Sequence, residues 1–474
     1  MTSMMDLTPA VNSPLLDASE SRVLARLMQT MQAHQHGNDL RGMYYAGKQT
    51  LRMAGKMGMS LPPSLGKLET VLGWPAKAVT TLEQRLDVLG FVGNDESDSI
   101  ISEIAADNDL TTLQSMTHTA ALIHGSAFVT VSAGDESAGE PPVVISSRSA
   151  REATAIYSTR SRTITAGLTI NNDPGAPLQV VLWLPEWVTT MTKERDGWRV
   201  ERQAHRLGRV PMERMTFRPH LEQQFGVPRI TDEVMGLTDS AMRTVLRMEG
   251  TAEFFSFPQR WAIGLAESDV GETFKTYLNR FLMLGPAEEG DQAPQFGEFR
   301  SSSPEPHIAQ LRSIAGMFSG ATSIPLNYLG IVHDNPSSAD AIRAAEADLV
   351  TVAERAQRNF GASWASVMRM AHFAAVGDED PALRSLITRW RDPSTPTRAA
   401  QSQAVTSLVS MGVLPAQDPV TWELLGYDEA TIRRLTHAVE KQRAHETLTG
   451  ILDKRPAAPG VRQEATELME TETG

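Results

Sequence analysis

Between residues 228 and 373 the apolar positions repeat at helical spacing three times, and the first two repeats end in breaks of different character. After Pro228, the residues Ile230, Val234, Leu237, Ala241, Val245 and Met248 recur at three- and four-residue steps, with Thr231, Asp232, Asp239, Arg243 and Glu249 between them. This predicts an amphipathic helix ending near Gly250. A second helix is predicted from about Pro306 to Phe318, carrying Ile308, Leu311, Ile314, Ala315 and Phe318 on one face and stopping at Ser319-Gly320. The two are candidates for an antiparallel pair. Between them, FFSFPQRWAIGL and FLMLGPAEEGDQAPQFGEF hold short aromatic and β-branched runs punctuated by Pro and Gly, which suits a compact β insert. Pro325, Gly330 and Pro336 then force a loop, and Asn335-Pro336-Ser337-Ser338 opens a third helix. Its stripe is Ile342, Ala345, Leu349, Val352, Ala356 and Phe360, continued by Trp364, Val367 and Ala371 beyond an expected bend at Gly361.

Upstream, residues 1–40 read as a helical arm with Leu24, Leu27 and Met28, and a helix is expected around Val79, Leu82 and Leu86 before a turn at Gly90. A further helix from Leu113 to His124 leads into a strand, Gly125 to Val131. From Pro142 to Phe217 the period falls to two through VVISS, ATAIYS, TITAGLTI, LQVVLWLPEWVTTMTKE and GWRVERQAH, a meander in which Asp196-Gly197 marks a hairpin. Past the third spine helix, GDEDPALRSLITRWRDPSTPT reads as a linker. Residues 399–411, 419–425 and 428–452 read as three helices of a small terminal unit, and the last stretch is too poor in apolar residues to fold.

A chain of 474 residues exceeds one ordinary core, so two to four structural units are expected. With 41% hydrophobic and 21% charged residues the composition is globular, and no window of 18 consecutive apolar residues would span a bilayer. The opening MTSMMDLTPAVNSPLLD lacks a basic run followed by an apolar one, so export by a signal peptide is not expected. The absence of cysteine excludes disulfides, thiolate metal sites and cysteine nucleophiles. A net charge of −13, from 44 Lys+Arg against 57 Asp+Glu, does not advertise the basic face that tight DNA binding needs.

Candidate chemistry is sparse. Gly42, Gly47 and Lys48 have the spacing of a phosphate-binding loop, but Gln49 stands where a magnesium-binding hydroxyl belongs and no apolar strand precedes Gly42. His124 beside Ser126 invites a hydrolase, without the glycine-flanked elbow or a third partner. These two stretches define the alternative reading, a hydrolase or nucleotide-binding enzyme. Asp107-Asn108-Asp109 lacks the later Gly and Glu of a calcium loop and reads as a helix cap. His118 and His124 read as ordinary helix residues, and there is no HExxH. No catalytic residue, cofactor or metal site is expected.

Several short stretches, in this order, resemble the portal proteins of tailed bacteriophages, the long-tailed, siphophage-type head-to-tail portal family. They are Tyr44-Tyr45-Ala46-Gly47-Lys48; Trp74 with Ala78-Val79 and the run from Gln84 to Phe91; Gly125-Ser126-Ala127-Phe128; the run from His205 to Pro211; Phe257-Pro258-Gln259-Arg260-Trp261; and Ser337-Ser338-Ala339-Asp340-Ala341-Ile342. The resemblance covers nearly all of residues 40–450. It implies an α+β portal fold with a mixed α/β wing and N-terminal arm (1–228), an antiparallel two-helix stem (229–252 and 305–320) and a small β-rich clip (253–304). A tunnel loop (321–336), a long wing helix (337–377), a helical crown (378–452) and a disordered tail (453–474) complete it. It further implies a homo-oligomeric, dodecameric ring at one capsid vertex of the virion, assembled in the host cytoplasm and not in a membrane. Through the ring double-stranded DNA passes, and its partners are the major capsid protein, the terminase large subunit and a head-tail connector or adaptor. The implied stem packing uses Leu237, Ala241, Val245, Ile308, Leu311 and Ile314, and the implied DNA contacts in the tunnel loop are Asn327, Tyr328, His333, Asp334 and Asn335.

Overall fold

The computed structural model describes residues 16–49, 71–93, 95–172, 174–255, 260–263, 281–284, 295–298, 303–331, 339–394 and 398–453. The chain divides into two compact units, Met1–Ser394 and Thr395–Gly474.

The first unit begins with helix α1 (Ala18–Ala46), closed at its start by a capping box in which Asp17 and Glu20 satisfy each other's backbone N–H groups. Leu24, Leu27, Met28 and Met31 bury one face of α1 on a five-stranded antiparallel meander, against Leu168, Val180, Leu182 and Met191. That meander runs β4 (Ala153–Ser158), β5 (Thr163–Asn171), β6 (Gln179–Trp183), β7 (Trp187–Glu194) and β8 (Gly197–Ala204) in sequence order, with the Asp196-Gly197 hairpin joining the last two. The expected strand LQVVLWLPEWVTTMTKE is therefore two strands, broken where Pro185 cannot donate to the ladder. A separate sheet places β2 (Ser126–Ala133) between β3 (Val143–Ser149) and β9 (Met212–Thr216).

Helices α2 (Trp74–Glu83), α3 (Asp95–Asp107) and α4 (Leu110–His124) cover that second sheet, together with the longest helix, α7 (Ala339–Val376). Of the predicted stripe, Leu349, Ala356, Phe360, Trp364, Val367 and Ala371 of α7 are buried and Val352 is half-buried, whereas Ala345, a turn nearer the start of the helix, is exposed; the side chain of Ile342 lies outside the described residues. The expected bend at Gly361 is instead continuous helix. A Cβ there would lie 2.9 Å from Trp390 Nε1, so the glycine admits a close neighbour. Trp390 belongs to β13 (Ile387–Trp390), which pairs with β1 (Val88–Val92). The stretch expected to be a linker and the start of a crown at 378 thus completes the first unit, and the second begins at Thr395. Residues this far from β1 in sequence carry no local sign of the pairing.

The spine helices appear as α5 (Asp232–Phe255) and α6 (Glu305–Thr322), the latter running past Ser319-Gly320. The insert between them is a small sheet, with β10 (Arg260–Ile263) parallel to β11 (Phe281–Leu284) and antiparallel to β12 (Gln295–Glu298). The second unit holds α8 (Arg398–Ser410), α9 (Pro419–Leu424) and α10 (Glu429–Asp453). The tail beyond Asp453 lies outside the described residues.

Asp109 caps α4 through Thr112 N–H, and Asn108 bridges Ile104, Val143 and Ile145, so this acidic run is a cap. His118 is more than an ordinary helix residue. Fully buried, it meets the Leu86 carbonyl through Nδ1 at 3.1 Å, accepts from Trp364 Nε1 at Nε2 at 2.9 Å, and stacks on Phe360 at 4.9 Å. These partners assign the proton to Nδ1. Burial pushes its pKa down from 6.5 to about 3. The native state keeps it neutral while the unfolded chain binds a proton below 6.5, so its contribution to stability is full above pH 6.5 and drains away toward pH 3. As pH is lowered from 6.5 toward 3, urea stability should fall by up to about 1.4 kcal/mol per pH unit from this group. His118→Gln should show a correspondingly shallower slope, and an identical slope would contradict the assignment.

Candidate functional site

The paired helices are built from a fixed root. Arg229 sits at the entry to α5 with its guanidinium fully buried, donating from Nε to the Ala78 carbonyl of α2 at 2.5 Å and from a terminal nitrogen to the Thr322 carbonyl at the end of α6 at 2.7 Å. Its own N–H donates to Leu122 of α4 at 2.8 Å. Burial, and next the charge of Arg218, lower its pKa to about 9. Beside it, Gly125 and Gly226 meet so closely that a Cβ on Gly226 would lie 2.4 Å from the Gly125 carbonyl, with φ of +93° and +80° at the two positions. At the other end of the pair Thr251 Oγ1 lies 3.3 Å from His307 Nε2, which makes α5 and α6 antiparallel.

Burial is graded along this pair. Val234, Met235, Ala241, Ile314, Ala315 and Phe318 lie in the main core, and Leu237 and Leu311 pack partly buried against it. Toward the β insert, Val245, Leu246, Met248 and Ile308 are only half-buried, and Met317 on the outer side of α6 is 53% exposed. The predicted packing residues therefore all lie on this pair, but Val245 and Ile308 retain apolar surface that the single chain does not cover.

The turn after α6 is held down separately. Asn327 and Tyr328 fall in a short 3-10 turn, Leu326–Leu329, with Asn327 exposed and Tyr328 half-buried. The Tyr328 hydroxyl donates to Glu346 of α7 and accepts from Arg85 at 3.3 Å, while Arg85 pairs with Glu346 at 3.2 Å. Lys77 lies 5.5 Å from the centre of the Tyr328 ring. Burial, and then the Glu346 carboxylate, push the Tyr328 phenol up. His333, Asp334 and Asn335 lie outside the described residues.

The two enzyme readings find no support. Gly42 lies inside α1 and Gly47 is its C-cap, so no loop of free amides surrounds a phosphate; Tyr44 at this end instead donates to Asp239 of α5 at 2.8 Å. Ser126 and His124 do line one cavity of about 500 Å³, together with Arg41, Phe128, Phe225 and Asp232. His124 is held neutral there, its pKa lowered to about 4 by burial and by Arg151 and Arg41. Its Nδ1 has no hydrogen-bond partner among the described residues, so no carboxylate orients it as a base. Of the groups that matter most to this architecture, Arg229 is not marked by sequence and His118 reads there as an ordinary helix residue. A lone Arg after Pro228 and a His within an apolar helix face are the only local signs of them.

Residues 41–419 match the family model described as phage portal protein, SPP1 Gp6-like. The chain is 30% identical over 440 residues to the portal protein of Mycobacterium phage D29, covering 85% of this chain and 86% of that protein. It is 31% identical over 380 residues to the portal protein of Mycobacterium phage L5, covering 76% and 77%. A solved structure described as the neck of an empty GTA particle computed with C6 symmetry aligns over 75% of this chain and 90% of that one, with a TM-score of 0.47 and 12% identity.

Replacing Arg229 by Met removes the donor to two buried carbonyls and also relieves the burial of an unpaired charge. The first effect is larger, and a net loss of about 2 kcal/mol in denaturant unfolding is expected. Wild-type stability in Arg229→Met would remove Arg229 as the root of the pair.

Proposed function

Because the chain belongs to the SPP1 Gp6-like phage portal protein family, we propose that it forms a closed homo-oligomeric ring, a dodecamer, at one capsid vertex of the virion. The ring is the channel through which double-stranded DNA is packaged, retained and ejected. The observation that carries this reading is the graded burial of α5 and α6: rooted in the core at one end, the pair presents Val245, Leu246, Met248 and Ile308 only half-buried toward the other. Apolar surface of that kind is stabilised by burial against another copy, at roughly 25 cal/mol per Å². A head-to-tail contact between unlike faces generates a ring when its rotation closes.

In that ring α5 and α6 form the stem, and the insert carrying β10 to β12 is the clip, where a terminase large subunit docks and a head-tail connector or adaptor later replaces it. The rest of the unit from Met1 to Ser394 supplies the wing, which meets the major capsid protein, and the three-helix terminal unit supplies the crown. The tunnel loop follows α6. Tyr328 fixes its base through Glu346 and Arg85, and exposed Asn327 is placed to touch passing DNA, as His333, Asp334 and Asn335 are by sequence position. The phage portal family is structural rather than enzymatic, and the energy for packaging comes from the terminase.

Ile314→Asp or Leu237→Asp places a charge in the apolar seam and should abolish ring assembly or reduce DNA-filled particles at least tenfold. Wild-type particle yield would contradict the stem assignment. Tyr328→Ala should leave rings intact and change DNA packaging or retention, measured as DNA per particle. Loss of oligomerisation in that variant would move Tyr328 from the channel to a subunit interface. Ser126→Ala should leave packaging unchanged, whereas its loss would favour the hydrolase reading.

A further inference from the structure

The terminal unit, Thr395–Gly474, has very little interior. Among its described residues only Val405 of α8 and Thr421 and Trp422 of α9 are buried. The short helix α9 packs against both α8 and α10, and Gln401 of α8 donates to the Leu424 carbonyl at 2.7 Å. On its other side α9 presents Val420, Leu424 and then Tyr427, spaced four and three residues apart. Met411 and Val413 follow the end of α8, and these five side chains are between 43% and 67% exposed. Beyond Val439, α10 continues with every residue from Glu440 to Thr447 exposed.

A unit of three helices needs a shared core, because short helices are marginal alone in water and the entropy lost in ordering the chain has to be offset by apolar burial. Two large buried side chains do not provide it, while five comparable ones remain in water. We propose that the terminal unit completes its core against the terminal unit of a neighbouring copy, through the outer face of α9 with Met411 and Val413, so that its folding is coupled to assembly. Charge favours this occupant. Between Arg398 and Asp453 there are five Lys and Arg against seven Asp and Glu, so this stretch carries −2 of the chain's −13 and can approach its own copy without strong repulsion. The exposed turns of α10 hold both signs, Glu440 and Glu446 with Lys441 and Arg443, which lets adjacent copies set unlike charges against each other. A polyanion or an anionic bilayer would instead require a cationic face. The inference rests on the proposed ring for neighbours at fixed spacing, but it concerns when this unit folds, and not how the stem or the wing assembles. A free subunit carries a loosely ordered terminal unit, and ring closure orders it.

The test uses the full chain, fractionated by size into free subunits and rings, with amide hydrogen exchange read separately for residues 398–453 and for the first unit. Protection of the terminal unit is expected in rings and to be roughly a hundredfold lower in free subunits, with the first unit protected in both. A variant carrying Val420→Gln, Leu424→Gln and Tyr427→Ser, all at exposed positions, should exchange residues 398–453 about tenfold faster in its rings while protection in the first unit stays unchanged. Equal protection of the terminal unit in free subunits and rings, or unchanged protection in the variant's rings, overturns the proposal. Rapid exchange of the unit in wild-type rings also overturns it and gives the face to a different partner. Loss of rings in the variant, with the first unit still protected, supports the contact as one the ring requires. If wild type forms no rings the ring reading falls, and the free chain still decides: a protected terminal unit overturns this proposal, and an unprotected one supports it.

Discussion

A buried guanidinium with no carboxylate beside it among the described residues has to be satisfied by carbonyls, and the carbonyls that satisfy Arg229 come from elements that have to be held together. One donor reaches Ala78 in α2 and another reaches Thr322, where α6 runs out of its own hydrogen-bond partners. The backbone of the same residue is tied to α4. The exit of α6 and the entry of α5 are thereby fixed to one point of the core, and the Gly125 and Gly226 contact sets the angle at which α5 leaves it. Everything proposed for the helix pair depends on this. A pair free at both ends would collapse its apolar stripe onto its own chain, whereas a pair rooted at one end leaves the stripe available to a neighbour.

Periodicity made the helices legible because an amphipathic helix advertises itself within a dozen residues. The stripe through Leu349, Phe360, Trp364 and Ala371 was readable for that reason, as was the meander with its Asp196-Gly197 turn. The pairing of β13 with β1 was not, since the two strands are about 300 residues apart and neither alternates strongly. Gly361 misled in an instructive way: a glycine within a helix reads locally as a bend, but here the indole of Trp390 occupies the space a side chain would need. Of the residues expected to line the channel, Tyr328 turns out to have its hydroxyl engaged by Glu346 and Arg85, partners 18 and 243 residues away. Sequence alone marks His118 only as a helix residue and Arg229 not at all, because the partners that give them their roles are supplied by distant segments.

Polar groups inside the first unit serve positioning. His118 joins the Leu86 turn to α7, Gln357 of α7 donates to the carbonyls of Arg85 and Arg391, and Arg85 carries the network out to Tyr328. A displacement of the turn after α6 therefore loads α7 and the segment that follows it through hydrogen bonds, without any bound group between. In the cavity shared by His124 and Ser126, His124 Nδ1 has no hydrogen-bond partner among the described residues, so nothing there orients the imidazole through that nitrogen.

On the reading proposed above, these rooted helices find their missing cover in further copies of the chain arranged around an opening. Electron microscopy of the purified full-length protein viewed end on tests it most directly. Annular particles with a regular number of subunits and a central opening wide enough to admit a DNA duplex are expected. Monomers, dimers, or closed assemblies without an opening would contradict it.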